Sequence, residues 1–449
     1  MRKSLLLASF ICLVLGTKAQ FQIGQSISNY SGTNSLYSNP SNVVDSRFKF
    51  YLNLTQTSLH FSNDYLTYNG GYHPFAAIPG LNTLWKAPAQ YQNADGSLKF
   101  EDAWIQEELN GKPKNVFFQF EQRLFNFQIN LGQKSAIAVG NRTRLIGQFT
   151  NLSEPLARII RYEFDTNSPP FQSGQIRTDQ PYYNFSFNIN AFAYNETSLT
   201  YGHVLVDQKE NFLKGGITGK FFIPLYGMYL RNEDIDLTVY GQDSFEFSNA
   251  DIEYGYVSDL FFTEPDGQNP LRLGRGFGMD IGFTYEYRPD YKKYRYQMDG
   301  KERWDNSKNK YLLRVQASFN DFGSVTLKND KYVRAYKLAP AASIFIDPAL
   351  VDTMQVIQDR YASEYGMLII ADSLIGRTVG FESRSNEFTW KLPANFTVNV
   401  DYRIARNVYI NALWIQSLRG KQVNGIRGFS LLSFTPRFES RWFEASMPL

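Results

Sequence analysis

Cysteine is almost missing from this 449-residue chain, and the single one, Cys12, sits inside an apolar run at the N-terminus. Whatever follows Ala19 therefore has no disulfide, no thiol nucleophile and no thiolate metal ligand. Histidine is nearly as scarce: His60, His73 and His203 show no zinc-motif spacing. Nucleophile-elbow, Walker and dinucleotide signatures are absent as well. The stretch "GRGFGMDIG" opens a strand rather than a helix, so it is not a phosphate cradle. "EPDGQNP", Glu264 to Pro270, lacks the regular oxygen spacing of a calcium loop and reads as a turn. No cofactor and no enzymatic activity are expected.

Charge of one sign is also lacking. Arg2, Lys3 and Lys18 account for the whole formal charge of +3, so the chain beyond Ala19 is neutral. Its basic residues are scattered, which removes the electrostatic case for a nucleic-acid partner. Past the N-terminus no run approaches the roughly 20 apolar residues of a spanning helix. The N-terminus itself reads as a secretory signal. Arg2 and Lys3 precede the apolar run Leu5 to Gly16, and Thr17-Lys18-Ala19 supplies small residues for cleavage after Ala19.

What is abundant is aromatic: 37 Phe and 29 Tyr, an excess that suits strands with interfacial girdles. Period-2 alternation recurs throughout. Tyr183, Phe185, Phe187 and Ile189 alternate with Asn184, Ser186, Asn188 and Asn190. Phe277, Met279, Ile281, Phe283 and Tyr285 alternate with Gly278, Asp280, Gly282, Thr284 and Glu286. Leu313, Val315, Ala317 and Phe319 alternate with Arg314, Gln316, Ser318 and Asn320. Phe396 to Ile404 alternate with Thr397, Asn399, Asp401 and Arg403 before a turn at Ala405-Arg406-Asn407. Its return strand puts Val408, Ile410 and Trp414 on one face, with Leu413 and Ile415 breaking the polar side. These runs span about 9 to 13 residues, beyond the usual 5 or 6 of globular strands and close to the length of a tilted bilayer crossing.

Connections are either tight or very long. Gly132-Gln133-Lys134, Asn195-Glu196 and Ala405-Arg406-Asn407 read as tight turns; 62–115, 148–181, 288–309 and 329–395 read as long loops. The segment 226–262 reads either as a strand pair or as a loop hairpin. Helices are expected after Ser153, with Leu156, Ile159 and Ile160 on one face, and after Asp347-Pro348. A weaker third is expected over Glu101 to Leu109.

The pattern points to an all-β transmembrane antiparallel barrel of about 14 strands, with helical insertions in its long loops. Arg142, Arg144, Asp280, Glu286, Arg314, Asp401 and Arg403 then fall on lumen-facing positions, because a charge facing lipid at mid-depth costs roughly 2 to 4 kcal/mol. These charges serve either a ligand or ion path or an internal salt-bridge network, and the network is the simpler reading.

Ser35-Leu36-Tyr37-Ser38-Asn39-Pro40, placed just before the first long strand, resembles the N-terminal motif of FadL-like outer-membrane transporters and of PorV-type barrels of Bacteroidota, with Ser41 where alanine is usual. The resemblance implies that residues 20–46 form a hatch centred on Asn39 and Pro40, and that 47–449 form the barrel, including the insertion 329–395. Over Ser31 to Leu54, "SAIAVGNRTRLIGQFTNLSEPLARII", "LTYGHVLVDQKENFLKGGITGKF" and "PRFESRWFEASMPL", the chain is similar to an uncharacterised Bacteroidota family known as a domain of unknown function. That family normally runs on beyond the equivalent of Met447-Pro448-Leu449, so closing strands are expected after this point. The implied location is the outer membrane, in contact with its lipid. The implied function is binding or passage of a small hydrophobic or amphipathic compound. The alternatives are a non-transporting scaffold for a secretion or envelope complex and an exported soluble β-protein.

Overall fold

A computed structural model describes residues 28, 30–73, 76, 86–241, 244–257, 273–339, 342–346, 372, 376, 379–420, 425–428, 430–440 and 443–449. The expected signal segment, the helix expected after Asp347 and the turn expected over Glu264 to Pro270 lie outside them.

The chain forms β1 (Phe50–Asn53), β2 (Gln56–Asn63), a small hairpin of β3 (Leu66–Tyr68) and β4 (Ile105–Glu107), then β5 (Lys114–Arg123), β6 (Asn126–Asn130) and β7 (Ser135–Leu152). Helices α1 (Glu154–Arg161) and α2 (Pro169–Gln172) precede β8 (Pro181–Gln208) and β9 (Asn211–Gly241). The hairpin of β10 (Ser244–Ala250) and β11 (Ile252–Val257) leads to β12 (Gly274–Tyr287), then a second small hairpin of β13 (Arg295–Met298) and β14 (Lys301–Trp304). Next come β15 (Leu313–Lys328), β16 (Val333–Leu338), β17 (Ala342–Ile346), β18 (Phe381–Ser385), β19 (Glu387–Lys391), β20 (Asn395–Ala405), β21 (Val408–Ser417), β22 (Leu431–Glu439) and β23 (Glu444–Ser446).

Apart from the two small hairpins, these segments make one nineteen-stranded antiparallel sheet. Several segments continue one another; β1 with β2 and β5 with β6 each form a single line across it. The sheet curls far enough for Arg144 on β7 to reach Asp321 on β15. Its two edges, β1–β2 and β22–β23, do not pair with each other among the described residues, so the expected closed barrel stands here as an open sheet. The N-terminal segment bridges the gap. Tyr30 OH donates to Ser440 O at 2.7 Å, and Ser28 Oγ donates to Glu444 Oε2.

The two faces are inverted relative to a soluble sheet. Phe50, Leu52, Leu199, Ile217, Phe277, Phe283 and Phe319 point outward and are exposed, whereas Thr218, Asp280, Thr284, Gln316, Asn399 and Asp401 are buried inside. A period-2 strand has no other way to separate these residue types, since neighbours point to opposite faces. Every alternating run from the sequence keeps its phase except the first. In β8 the positive φ of Asn184 (58°) accompanies a register shift between Tyr182 and Phe187, so Phe185 turns inward along with Asn188 and Asn190.

Three expectations are corrected. Asn195-Glu196 is no turn: it lies inside the 28-residue β8, and Glu196 is buried against Arg142. The tight turn is Lys209-Glu210, with Lys209 at φ 48°. Glu101 to Leu109 is not a helix but a short 3-10 turn (Asp102–Trp104) running into β4. The long connection starting at 288 lies at the tight-turn end of the sheet, because Tyr287 pairs with both Asn211 and Leu313. The ambiguous stretch 226–262 resolves within the described residues: β9 runs on for 31 residues and β10–β11 folds back along its upper half.

Helix α1 forms as expected, with Pro155 at its start and Leu156 and Ile159 buried, but Ile160, expected on the same face, is exposed. Both side chains pack with Phe185, Ile235 and Leu237 on the inner face of the upper sheet. A second apolar layer below contains Phe192, Phe222, Val325, Leu327 and Trp390, with Phe192 stacked on Trp390 at 4.6 Å. Each of these side chains contributes about 1.5–3 kcal/mol on burial. The interior is thus stratified, apolar at the long-loop end and charged at the tight-turn end.

Candidate functional site

The N-terminal segment lies inside the sheet at the boundary of the charged strata. Two 3-10 turns, Gly32–Tyr37 and Pro40–Val43, keep most of residues 31–44 buried. Asn39 caps the second turn. Its Oδ1 accepts from Ser41 N (2.9 Å) and Ser41 Oγ (2.6 Å), and Pro40 follows at the first position, where a missing N–H costs nothing. The Asn39 Nδ2 donates outward to Phe283 O (3.1 Å) and Ala317 O (3.3 Å), tying the cap to two strands of the wall. Ser41 is more than a stand-in for alanine, since its Oγ also lies 2.6 Å from Thr284 Oγ1.

The wall is shaped to receive this segment. Gly216 pairs with Gly202 on one side and Gly282 on the other, giving a row of three glycines across β8, β9 and β12. A Cβ on Gly202 would come within 2.4 Å of Val43 Cγ1, on Gly216 within 2.5 Å of the Pro40 backbone, and on Gly282 within 2.2 Å of Asn39 Oδ1. The row continues to Ser318, whose hydroxyl donates to Ser38 O at 2.7 Å. Close backbone approach, not turn-making, is what these strand glycines provide.

Charged groups lie on both sides of the plug. Toward the apolar layers, Glu121 accepts from Arg123 (2.7 Å), Arg142 (3.2 Å) and Arg144 (2.9 Å). Arg142 also binds Glu196 at 2.7 Å, and Lys220 lies 2.7 Å from Asp280 and 2.5 Å from Asp321. Tyr37 of the plug lies under two guanidiniums, Arg123 at 4.4 Å and Arg142 at 4.2 Å. Toward the tight turns, Asp45 binds Lys310 and Arg288, each at 2.6 Å, and Arg288 binds Glu286 at 2.7 Å. Lys214 donates to Val44 O at 2.7 Å. Asp401 accepts from Arg437 (2.5 Å) and Arg314 (3.2 Å). Burial alone would raise the Asp45 carboxyl, but Lys310, Arg288 and Lys214 outweigh it and hold the group well below the usual carboxylate range.

Of the charges anticipated from sequence, Arg142, Arg144 and Asp280 belong to the first network, and Glu286, Arg314 and Asp401 to the second. Arg403 belongs to neither. It reaches Tyr294 OH (2.9 Å) and Asp290 (3.5 Å) in the connection after β12. Sequence reasoning missed Glu121, Lys220, Asp321, Arg437 and Glu439. The spacing Lys214, Gly216, Thr218, Lys220 carries the period-2 signal that would have placed Lys220 inward.

Beside the first network is a cavity of about 380 Å³. Its lower lining includes Glu121, Arg144, Asp321 and Asn320; its upper lining includes Phe117, Ile146, Leu413 and Ile426, and one side faces the gap between β2 and β22. Leu413 and Ile415, which interrupt the polar face of β21 in the sequence, line this cavity. Ser135 Oγ and His203 Nδ1 lie 2.8 Å apart, but on the outer face beside Tyr201, away from the cavity. Among the described residues no cluster of three or more His, Cys, Asp or Glu is arranged to hold a metal.

These features define an all-β protein whose curled sheet buries charge and exposes apolar side chains around an internal N-terminal plug. The chain belongs to a family of unknown function, DUF5723, which it matches over residues 40–449. No curated protein and no solved structure matches it.

Proposed function

We propose that the chain is an outer-membrane β-barrel protein that binds or passes a small hydrophobic or amphipathic compound, with residues 31–44 as its hatch. The observation that carries this reading is the inversion of the sheet, with exposed Phe and Leu outside and buried charge inside. Water around such an outer face would meet many exposed Phe, Leu and Ile side chains, the kind of apolar surface that soluble proteins keep small, whereas lipid solvates it. The resemblance of Asn39-Pro40 to the hatch motif of FadL-like and PorV-type barrels supports the same reading, and the cavity beside the plug supplies room for a ligand. Closure of the barrel, by further strands set between the edges β1–β2 and β22–β23, is part of this proposal.

The dense ion pairing around the plug favours a second reading, a non-transporting scaffold for an envelope or secretion complex. A lumen filled with paired charges and a buried segment is better suited to rigidity than to flow.

Membrane fractionation with heat-modifiable gel migration tests the barrel. Extraction without detergent, together with no shift on heating, contradicts it. Uptake of hydrophobic compounds by a deletion strain separates the two functions. Normal uptake with a co-purifying envelope partner selects the scaffold.

A further inference from the structure

Toward the tight turns, the second charged network encloses a small polar chamber of about 50 Å³ between the plug and the wall. Its lining is unbalanced in charge. Arg47, Lys214, Lys308, Lys310 and Arg314 face it against two carboxylates, Asp45 and Glu286. Both carboxylates are already bonded to Arg288, at 2.6 and 2.7 Å, and Arg288 is not part of the lining. Three of the five cations have carboxylates of their own. Lys310 binds Asp45 at 2.6 Å, Arg314 binds Asp401 at 3.2 Å and Lys308 binds Asp305 at 2.9 Å.

Lys214 and Arg47 are different. Among the described residues, neither has a carboxylate within 4 Å. Lys214 is buried on β9, and of the three N–H groups an ammonium carries it gives one, to Val44 O at 2.7 Å. Arg47 donates to Ser307 O at 2.6 Å and lies 4.1 Å over the Tyr30 ring. A buried ammonium without a counter-ion is costly, because proteins pair the charges they bury. The chamber beside it is polar, and at about 10–15 Å³ per water it has room for a few waters or one small anion. A guanidinium fork matches the oxygens of an oxyanion better than a spherical halide.

We propose that this chamber binds a small oxyanion of the phosphate type, held by Lys214 of the wall and by Arg47 just beyond the plug. Ser31, Ser35 and Asn42 of the plug share the lining, so the anion ties plug to wall. Anion binding and seating of the plug then favour each other. Such a site is compatible with either function above and goes beyond both.

The test is equilibrium dialysis of the full chain in lipid nanodiscs against radiolabelled inorganic phosphate near pH 7, with empty nanodiscs as blank. Saturable binding is the expected result, and chloride at matched ionic strength competes at least about tenfold less well. Lys214→Met and Arg47→Gln each weaken binding at least about tenfold, whereas Lys301→Gln, an exposed cation on β14, leaves it unchanged. Cooperative denaturant unfolding shows that each variant is folded. Phosphate also slows maleimide labelling of a Thr33→Cys reporter in a Cys12→Ser background, since Thr33 lies buried in the plug. No binding to folded protein, binding that both variants leave intact, or equal competition by chloride overturns the oxyanion site. A labelling rate unchanged at saturating phosphate overturns the tie between plug and wall. Each of these results leaves the membrane reading standing.

Discussion

Asn39 occupies the space that a side chain on Gly282 would need, since a Cβ there would lie 2.2 Å from Asn39 Oδ1. The cap that folds the plug and the bare strand that receives it are therefore one fitted contact. The first prediction uses it. Gly282→Ala pushes on an oxygen already bonded to Ser41, so the plug must shift. Gly219→Ala, on β9 with nothing within 4 Å of the added carbon, leaves it in place. A Thr33→Cys reporter in a Cys12→Ser background reads the difference. The buried thiol resists a water-soluble maleimide in the parent and with Gly219→Ala, and is labelled with Gly282→Ala. Equal protection in all three contradicts the fit.

Glu121 holds three guanidiniums, and removing its charge leaves them short of a partner. Breaking a buried pair from one side typically costs about 3–5 kcal/mol. Glu121→Gln is expected to lower the denaturant midpoint of the heat-modifiable form accordingly. Glu302→Gln, whose target is a half-exposed carboxylate beside Arg295, is expected to change it by less than about 1 kcal/mol.

Acid should loosen the plug through Asp45. Its carboxyl is held below its ordinary value by Lys310 and Arg288 despite burial. The resulting stabilisation is fully present above the unfolded value of about 3.9 and is lost as pH falls from there toward the depressed folded value. Stability of the parent owed to this group is therefore flat between pH 8 and about 5, and Asp45→Asn removes it at neutral pH. The difference between parent and variant, measured by denaturant titration, should shrink only below about pH 4. A difference that vanishes already at pH 6 contradicts this assignment.

Much of this arrangement was legible in the sequence because period-2 alternation is a local signal. Thr397, Asn399 and Asp401 could be assigned inward from spacing alone, and so could Arg314 and Asp280. Asn195-Glu196 misled because two adjacent polar residues imitate a turn, when Glu196 is a buried partner of Arg142. The glycine row was not legible at all. Gly202, Gly216 and Gly282 lie far apart along the chain and become neighbours only through strand register. The same holds for the cavity, where Leu413 looked like a flaw in the pattern until β21 came to face Ile146 and Ile426 across it.

The central claim, that lipid covers the outer face while the inner face is closed to it, is tested most directly by two native tryptophans. Trp414 points outward and is 45% exposed, whereas Trp390 points inward and is fully buried against Phe192. Variants that keep one of the two as their only tryptophan, the other five of the six being replaced by Phe, and that are reconstituted in bilayers containing brominated lipid, separate the faces by fluorescence quenching. Strong quenching of Trp414 with little quenching of Trp390 is the predicted result. An unquenched Trp414 in folded, reconstituted protein would contradict it.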